Sequence, residues 1–157
     1  MKVFISDRQR EVRLSKAKVG RWARRILKIL GWKRAILSLV LVNDSAIQEL
    51  HRKFLRKNSP TDVLAFGQNP GEELVSSEAP FLGDVVISVE TARRRGPEFG
   101  NRWDVEVLLY IIHGILHLMG FRDSTQREKQ KMRSREDEIL NHLLGESWRS
   151  KKLKPLF

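Results

Sequence analysis

The chain has 157 residues, 41% of them hydrophobic, which is enough for one globular domain with a sizeable core. It contains no cysteine, so disulfide frameworks and thiolate metal sites are excluded. Its 30 basic and 19 acidic residues give a net charge of +11. This excess favours a polyanionic partner such as nucleic acid over a surface of balanced ion pairs.

Neither the N-terminal segment nor the longest apolar run predicts a membrane protein. The first residues lack the apolar core of a signal peptide. The longest apolar run, 105–119, contains Glu106 and two histidines and is shorter than the roughly 18 residues that a membrane span needs. We therefore expect a cytoplasmic protein with no membrane association.

Apolar spacing in the first half of the chain alternates between strand and helix patterns. It predicts a strand over 2–6 and a helix that follows Ser15 as N-cap and ends at Gly31. A strand over 35–42, covered on both faces, comes next. The helix after it is capped within 43–45, and we expect Ile47, Leu50 and Phe54 to face inward. Further along, the pattern predicts a break at 57–60, strands over 61–66 and 82–89, a mobile loop over 67–80 and a short helix over 90–99.

Two longer helices complete the chain. The first follows Asn101, which forms a capping box with Asp104, and its apolar residues lie nearly all round, so we expect it to be buried. The second starts after Ser124 or Thr125 and ends at Gly145. We expect its inward face to carry Met132, Ile139, Leu140, Leu143 and Leu144.

The order of elements predicts an α/β (α+β) fold, in which a four-stranded mixed sheet packs with about five helices. We expect a single domain over 1–157, with a basic tail from about 146 to 157.

The buried helix carries the most informative motif. His113 and His117 are four residues apart, so both imidazoles lie on one helix face and can share a metal ion. Gly120 can end the helix in a left-handed conformation, and Asp123 then stands at the offset of the third metzincin ligand. Gly114 occupies the position of the metalloprotease general base. Alternatively, the histidines are core residues bonded to carbonyls, and Asp123 caps the last helix.

Three segments resemble motifs of the YbeY family of bacterial endoribonucleases. Residues 113–121 are similar to its histidine signature, 60–66 to its Pro-Thr-Asp segment and 83–88 to its Gly-Asp segment, in the family's order along the chain. Three positions differ. Asp123 stands where the family has a third histidine, Ala65 replaces a serine, and the family's functional arginine aligns with Leu55.

The resemblance implies a zinc-dependent endoribonuclease for single-stranded RNA, active in maturation of the small-subunit rRNA 3′ end and in ribosome quality control. The predicted ligands of one zinc ion per chain are His113, His117 and Asp123. The arginine's role stays open among Arg52, Arg56 and Lys57, and we take Arg56 as the candidate catalytic residue.

Further expectations concern RNA contacts and support for the ligands. Together with Arg52, Arg56 and Lys57, Arg93 is a candidate for binding the RNA backbone. Asp62 and Asp84 are candidates for orienting the histidines, or alternatively strand-end and turn residues. Metzincin spacing leaves a metallopeptidase as an alternative, against which the missing glutamate and basic charge argue. A metal-stabilised protein that binds RNA or the ribosome without catalysis is the third possibility.

Overall fold

A computed structural model describes residues 1–55, 61–68 and 79–157. A four-stranded sheet lies at its centre, with strand order β1-β2-β4-β3. β1 and β4 each pair with β2 in parallel, whereas β3 pairs with β4 antiparallel. The strands are β1 (Lys2–Asp7), β2 (Ile36–Val42), β3 (Val63–Gly67) and β4 (Phe81–Ser88). The predicted four-stranded mixed sheet is therefore confirmed.

In the described part of the chain, five α-helices pack around the sheet, as the sequence predicts. They are α1 (Lys16–Ile29), α2 (Asp44–Leu55), α3 (Val89–Arg95), α4 (Trp103–Leu118) and α5 (Gln126–Leu144). A short 3-10 helix at Gly96–Phe99 follows α3, and another at Trp148–Ser150 follows α5. Ser15 caps α1 as predicted, with its side chain accepting from the Lys18 amide, and Gly31 follows the helix with φ of 88°.

The two faces of the sheet are covered unequally. On one face, Leu39, Val85 and Ile87 are fully buried in a cluster with residues of α1, α4 and α5. On the other face, a smaller cluster joins Val86 to Ile47 of α2. β2 therefore alternates between buried and half-buried residues, which differs from the strand buried on both faces that its apolar run predicts.

Helix α4 lies between the sheet and α5, and it is the buried helix that the sequence predicts. Residues 104–108, 110–112 and 114–116 are buried. Gly114 allows close contact with β4, because a Cβ at this position would lie 2.3 Å from Cγ1 of Val85. The contact fixes the rotation of α4 on the sheet and therefore the direction in which its histidines point.

The predicted capping box at the start of α4 is wrong. Arg102 is the N-cap, and the Asn101 side chain donates to Oε2 of Glu106 at 2.9 Å instead. Asp104 accepts from Nε and Nη2 of Arg102 at 3.0 and 2.6 Å, and from the amides of Val105 and Leu156. The carboxylate is used for this pair and for the C-terminal segment, so it does not reach back to the Asn101 amide.

Two other expectations need correction. Phe54 does not face inward, since it is 57% exposed, and its ring meets the edge of Phe66 at 5.5 Å between ring centroids. Residues 146–157 are basic but do not form a free tail, because Trp148 and Leu156 are buried and Arg102 binds the carbonyl of Leu153. The expected break at 57–60 and most of the expected loop over 67–80 lie outside the described residues.

Among residues 1–55, 61–68 and 79–157, no helix is both long and apolar enough to cross a membrane.

Candidate metal centre

The last two turns of α4 place both histidines on one face of the helix. His113 and His117 are each half-buried, and their Nε2 atoms lie 2.9 Å apart. The helix ends at Leu118, and Gly120 adopts φ of 93°, which L-residues rarely adopt. The Phe121 amide donates to the Leu116 carbonyl at 3.0 Å. This turn reverses the chain and brings Asp123 back towards the histidines.

Three ligand-type atoms converge at this point. Oδ2 of Asp123 lies 3.4 Å from Nε2 of His113 and 3.3 Å from Nε2 of His117. Among the described residues these three form the one group of histidine and carboxylate side chains whose geometry suits a metal ion. Donor atoms about 2.1 Å from one tetrahedral ion lie roughly 3.4 Å apart, so the observed spacings are close to those of a bound site.

The outer nitrogens of the two rings determine which atoms are free for a metal. Nδ1 of His117 lies 2.9 Å from the Phe121 carbonyl, which can only accept, so this nitrogen carries the proton. Nδ1 of His113 lies 2.6 Å from Oε1 of Glu136 and donates to that carboxylate. Both Nε2 lone pairs therefore face each other and Asp123. Two imidazole nitrogens and a carboxylate oxygen at this spacing form a donor set that fits zinc.

Asp123 is free for this role because another residue caps α5. Thr125 is the N-cap, and its hydroxyl accepts from the Glu128 amide at 3.1 Å. The Glu128 side chain accepts from the Thr125 amide in return, which completes a capping box. The alternative in which Asp123 caps the last helix is therefore not what the structure shows.

Comparison with known proteins assigns the chain to a family. The family model described as Endoribonuclease YbeY matches residues 4–144. A relative of this name from Pelotomaculum thermopropionicum is 38% identical over 148 residues, covering 91% of this chain and 97% of the relative. Another from Aquifex aeolicus is 38% identical over 143 residues, covering 90% and 91%. The chain belongs to the YbeY family.

A solved structure supports the fold assignment. The solution structure of a Thermotoga maritima protein aligns with a TM-score of 0.58 over 96% of each chain, at 20% sequence identity. The family-model match over residues 4–144 and the two relatives confirm the family membership that the three sequence motifs predict.

Glu136 is the residue of the YbeY-type site that sequence reasoning missed. Its side chain is 12% exposed, and its hydrogen bond fixes the ring of His113. Burial by itself lowers the pKa of His113, but the hydrogen bond and charge of Glu136 outweigh it, so the pKa lies above its ordinary value. A signal was available, because Glu136 follows Met132 by four residues and precedes Leu140 by four, which places a carboxylate within the inward stripe of α5.

The two predicted supporting aspartates lie in different places. Asp62 lies in the same cleft as His113, and its negative charge contributes to the raised pKa of that histidine. Asp84 is adjacent to Val85 on β4, and neighbouring strand residues face opposite sides of the sheet. Val85 contacts α4, so Asp84 faces the α2 side, away from the histidines, and the structure does not bring them together.

The predicted RNA-binding cations are also separated. Nη1 of Arg93 lies 3.5 Å from the Glu11 carboxylate and 3.2 Å from the Glu11 carbonyl, so Arg93 is held at the surface by the N-terminal segment. Arg52 is exposed on α2, the helix on the other side of the sheet. Arg56 and Lys57 lie outside the described residues.

Three arginines other than Arg93 share the cleft with His113. They are Arg95 on α3, Arg133 on α5 and Arg149 in the 3-10 helix after α5, and each is exposed. Within residues 1–55, 61–68 and 79–157, Arg133 has no ion pair. Positive charge therefore borders the predicted metal ligands, although it comes from positions other than Arg93.

Proposed function

We propose that this protein is a zinc-dependent endoribonuclease that cleaves single-stranded RNA. We further propose that it acts in the cytoplasm on rRNA of the small ribosomal subunit, in maturation of the 3′ end and in ribosome quality control. The observation that carries the proposal is the convergence of His113, His117 and Asp123 on one point. Membership of the YbeY family and the net charge of +11 support RNA as the substrate.

Each residue of the site has a defined part in this proposal. His113 and His117 present Nε2, and Asp123 presents a carboxylate oxygen, while Glu136 and the Phe121 carbonyl hold the rings in place. Three protein ligands leave one tetrahedral position open, as in catalytic rather than structural zinc sites. When bound, the ion supplies an acidified water and a Lewis acid for a phosphate oxygen.

Basic residues complete the proposed RNA site. Arg95, Arg133 and Arg149 are placed to contact phosphates along the cleft that includes His113. We retain Arg56 as the proposed catalytic cation that stabilises charge on the phosphate, with Arg52 and Lys57 as proposed RNA contacts. Arg56 precedes Asp62 by six residues in the sequence, and Asp62 lines the cleft. This proximity along the chain supports Arg56 as the proposed catalytic cation.

The metallopeptidase alternative is disfavoured by the packing of α4. A zincin needs a glutamate at position 114, but a side chain there would collide with Val85 and lie 3.1 Å from Cγ1 of Val63. Position 114 faces the sheet rather than the ligands, so the general base of that class has no room.

Incubation of the purified protein with single-stranded RNA and, separately, with casein tests the proposal. We expect cleavage of RNA alone, complete loss on addition of a chelator and recovery on addition of zinc. The His113→Ala, His117→Ala double variant is the matched control for contaminating nuclease. Binding of RNA with no chelator-sensitive cleavage would instead favour the non-catalytic binding protein.

The salt dependence of RNA affinity tests the electrostatic part. Lys and Arg contacts release counterions, so we expect the logarithm of the association constant to fall linearly with the logarithm of salt concentration. A response that is flat with salt would assign the charge of +11 to solubility alone.

A further inference from the structure

A cleft of about 510 Å³ extends from His113 along α4 towards the start of that helix. Successive residues of one α4 face form its floor, namely Glu106, Tyr110 and His113. Arg95 borders it on the α3 side, and Arg149 on the α5 side. The volume lies within the usual range of about 300–1,000 Å³ for small-ligand sites. The metal ligands occupy only one end, so most of this space has no role in holding an ion.

The rim of the cleft suits a phosphate and the flat face of a base. The Arg149 guanidinium carbon lies 4.5 Å from the centre of the Trp148 ring, and that of Arg95 lies 5.4 Å from the Phe99 ring. Phe99 is 61% exposed, which is unusual for a large aromatic side chain. Exposed aromatic rings and guanidinium planes are the groups on which single-stranded bases stack.

The floor offers acceptors rather than donors. Glu106 is 3% exposed, and its carboxylate accepts from the Asn101 side chain at 2.9 Å, which leaves part of its capacity of about four hydrogen bonds. Asp62 lines the same space, and its Oδ1 accepts from the Val63 amide at 2.8 Å. Within the described parts of the chain, neither carboxylate forms an ion pair with Lys or Arg.

These acceptors discriminate among the four bases. The Watson–Crick edge of guanine carries adjacent N1–H and N2–H donors, which match the two oxygens of a carboxylate. Adenine and cytosine place a ring-nitrogen acceptor beside their single amino group, and uracil flanks one N–H with two carbonyls. A carboxylate repels those acceptors, so guanine makes the best pair.

We propose that this cleft is a guanine-nucleotide subsite, which holds a nucleotide of the RNA substrate beside the phosphodiester at the metal centre. The inference rests on the proposed function for its substrate. Glu106 and Asp62 bind the base edge, Phe99 and Arg95 stack on its face, and Arg133 and Arg149 contact phosphate. Cleavage then occurs next to guanines in single-stranded RNA.

Binding of single nucleotides tests the subsite without any cleavage. Calorimetry compares the 5′-monophosphates of guanosine, adenosine, cytidine and uridine on the full chain treated with chelator. We expect guanosine monophosphate to bind at least about tenfold more tightly than the others, as for a bidentate base contact. Arg149→Ala should weaken all four by a similar factor, because it removes a phosphate contact. The matched control is Lys129→Ala, on the exposed side of α5 outside the cleft, and it should change nothing.

Glu106→Gln tests the base edge, since it exchanges one acceptor oxygen for a donor. We expect the preference for guanosine to fall below about threefold while zinc content and melting temperature are retained. Glu106 is buried, so its variant could fail to fold. Asp62→Asn, at a half-buried position, then gives the same test. Equal binding of the four nucleotides by the unmodified chain overturns the proposal, as does a preference that survives both variants.

Cleavage of a labelled RNA with one guanine, placed at different positions, separates this inference from the proposed function. Chelator-sensitive cleavage that ignores the guanine contradicts the subsite and leaves the nuclease intact. Guanosine binding without chelator-sensitive cleavage contradicts the nuclease and leaves the subsite intact. Cleavage that moves with the guanine supports both.

Discussion

An aspartate lies at or just beyond each end of α4, and the two carboxylates differ in the groups that surround them. At the first end, Asp104 receives four hydrogen bonds, two from Arg102 and two from backbone amides. At the other end, Asp123 lies 3.3–3.4 Å from two histidine nitrogens whose protons are on the far side of each ring. A saturated carboxylate stabilises the fold, whereas converging acceptors form a site for a cation.

This contrast shows why burial by itself does not reveal function. The Asp104 side chain is 5% exposed and those of His113 and His117 are 24% and 28% exposed, yet the most buried of the three is the structural one. The number of donors that face the carboxylate separates the two roles. Substitutions at the two ends should therefore affect different properties of the protein.

The largest effect is expected for Asp123→Ala. It removes one of the three proposed metal ligands, so zinc affinity should fall by more than the roughly 10–100-fold typical when a residue that only orients a ligand is changed, and RNA cleavage should fall with it. Stability of the metal-free protein should change little, because Thr125 caps α5. Zinc titration and cleavage rates measure both.

Asp123→His is the companion variant. It supplies a neutral third ligand, so zinc should be retained, and the bound water should be more acidic than beside a carboxylate. We expect the pH–rate profile to move towards lower pH. Full zinc occupancy in Asp123→Ala would show that the third ligand is another residue.

A smaller effect on the same property is expected for Glu136→Gln. The amide keeps the shape but removes the charge that holds Nδ1–H of His113, so zinc affinity should fall about 10–100-fold. Glu138→Gln, on the exposed side of α5 where the side chain is 67% exposed, is the control. Equal zinc affinities of the two variants would count against an orienting role for Glu136.

Asp104→Asn should lower stability and leave zinc binding unchanged. Breaking a well-bonded ion pair costs about 2–4 kcal/mol, reduced here because the Arg102 side chain is 43% exposed. Burial alone raises the pKa of Asp104, but Arg102 and the two amides outweigh it and lower the pKa in the folded state.

The sign of the pH dependence follows from this lowered pKa. The stabilisation is present above the pKa of the unfolded chain, about 3.9, and is lost as pH falls through the lower folded value. Denaturation at pH 7 should show the full difference between wild type and Asp104→Asn, and the difference should shrink below about pH 4. A constant difference over this range would assign the effect to packing.

The smallest effect is expected for Thr125→Ala. Loss of an N-cap costs about 1 kcal/mol, so the melting temperature should fall by roughly 2–4 °C with no change in zinc content. Loss of zinc in this variant would mean that the cap and the metal ligand depend on each other.

Much of the fold follows from local patterns in the sequence. Ser15 and Gly31 bound α1, and Gly145 follows α5 with φ of 93°, because capping and left-handed turns depend on neighbouring residues alone. The convergence of His113, His117 and Asp123 was predictable for the same reason, since the three residues lie within one helix end and its turn.

Contacts between distant segments were harder to predict. Asp104 follows Asn101 at capping-box spacing, but it binds Leu156, which is 52 residues away. Phe54 has the spacing of a core residue, but among the described residues the cluster on its face of the sheet is small, and Phe54 at the end of α2 stays 57% exposed. Arg93 and Arg95 cannot be told apart within a basic run of the sequence. Only the fold shows that Arg93 pairs with Glu11 whereas Arg95 lines the cleft.

Zinc content tests the central claim most directly. We expect the purified wild-type chain, loaded with zinc and dialysed, to retain about one zinc per chain by elemental analysis. The His113→Ala, His117→Ala double variant should retain none, while Asp104→Asn should retain the wild-type amount. Equal zinc in the wild type and the histidine double variant would contradict the assignment of the metal centre to this end of α4.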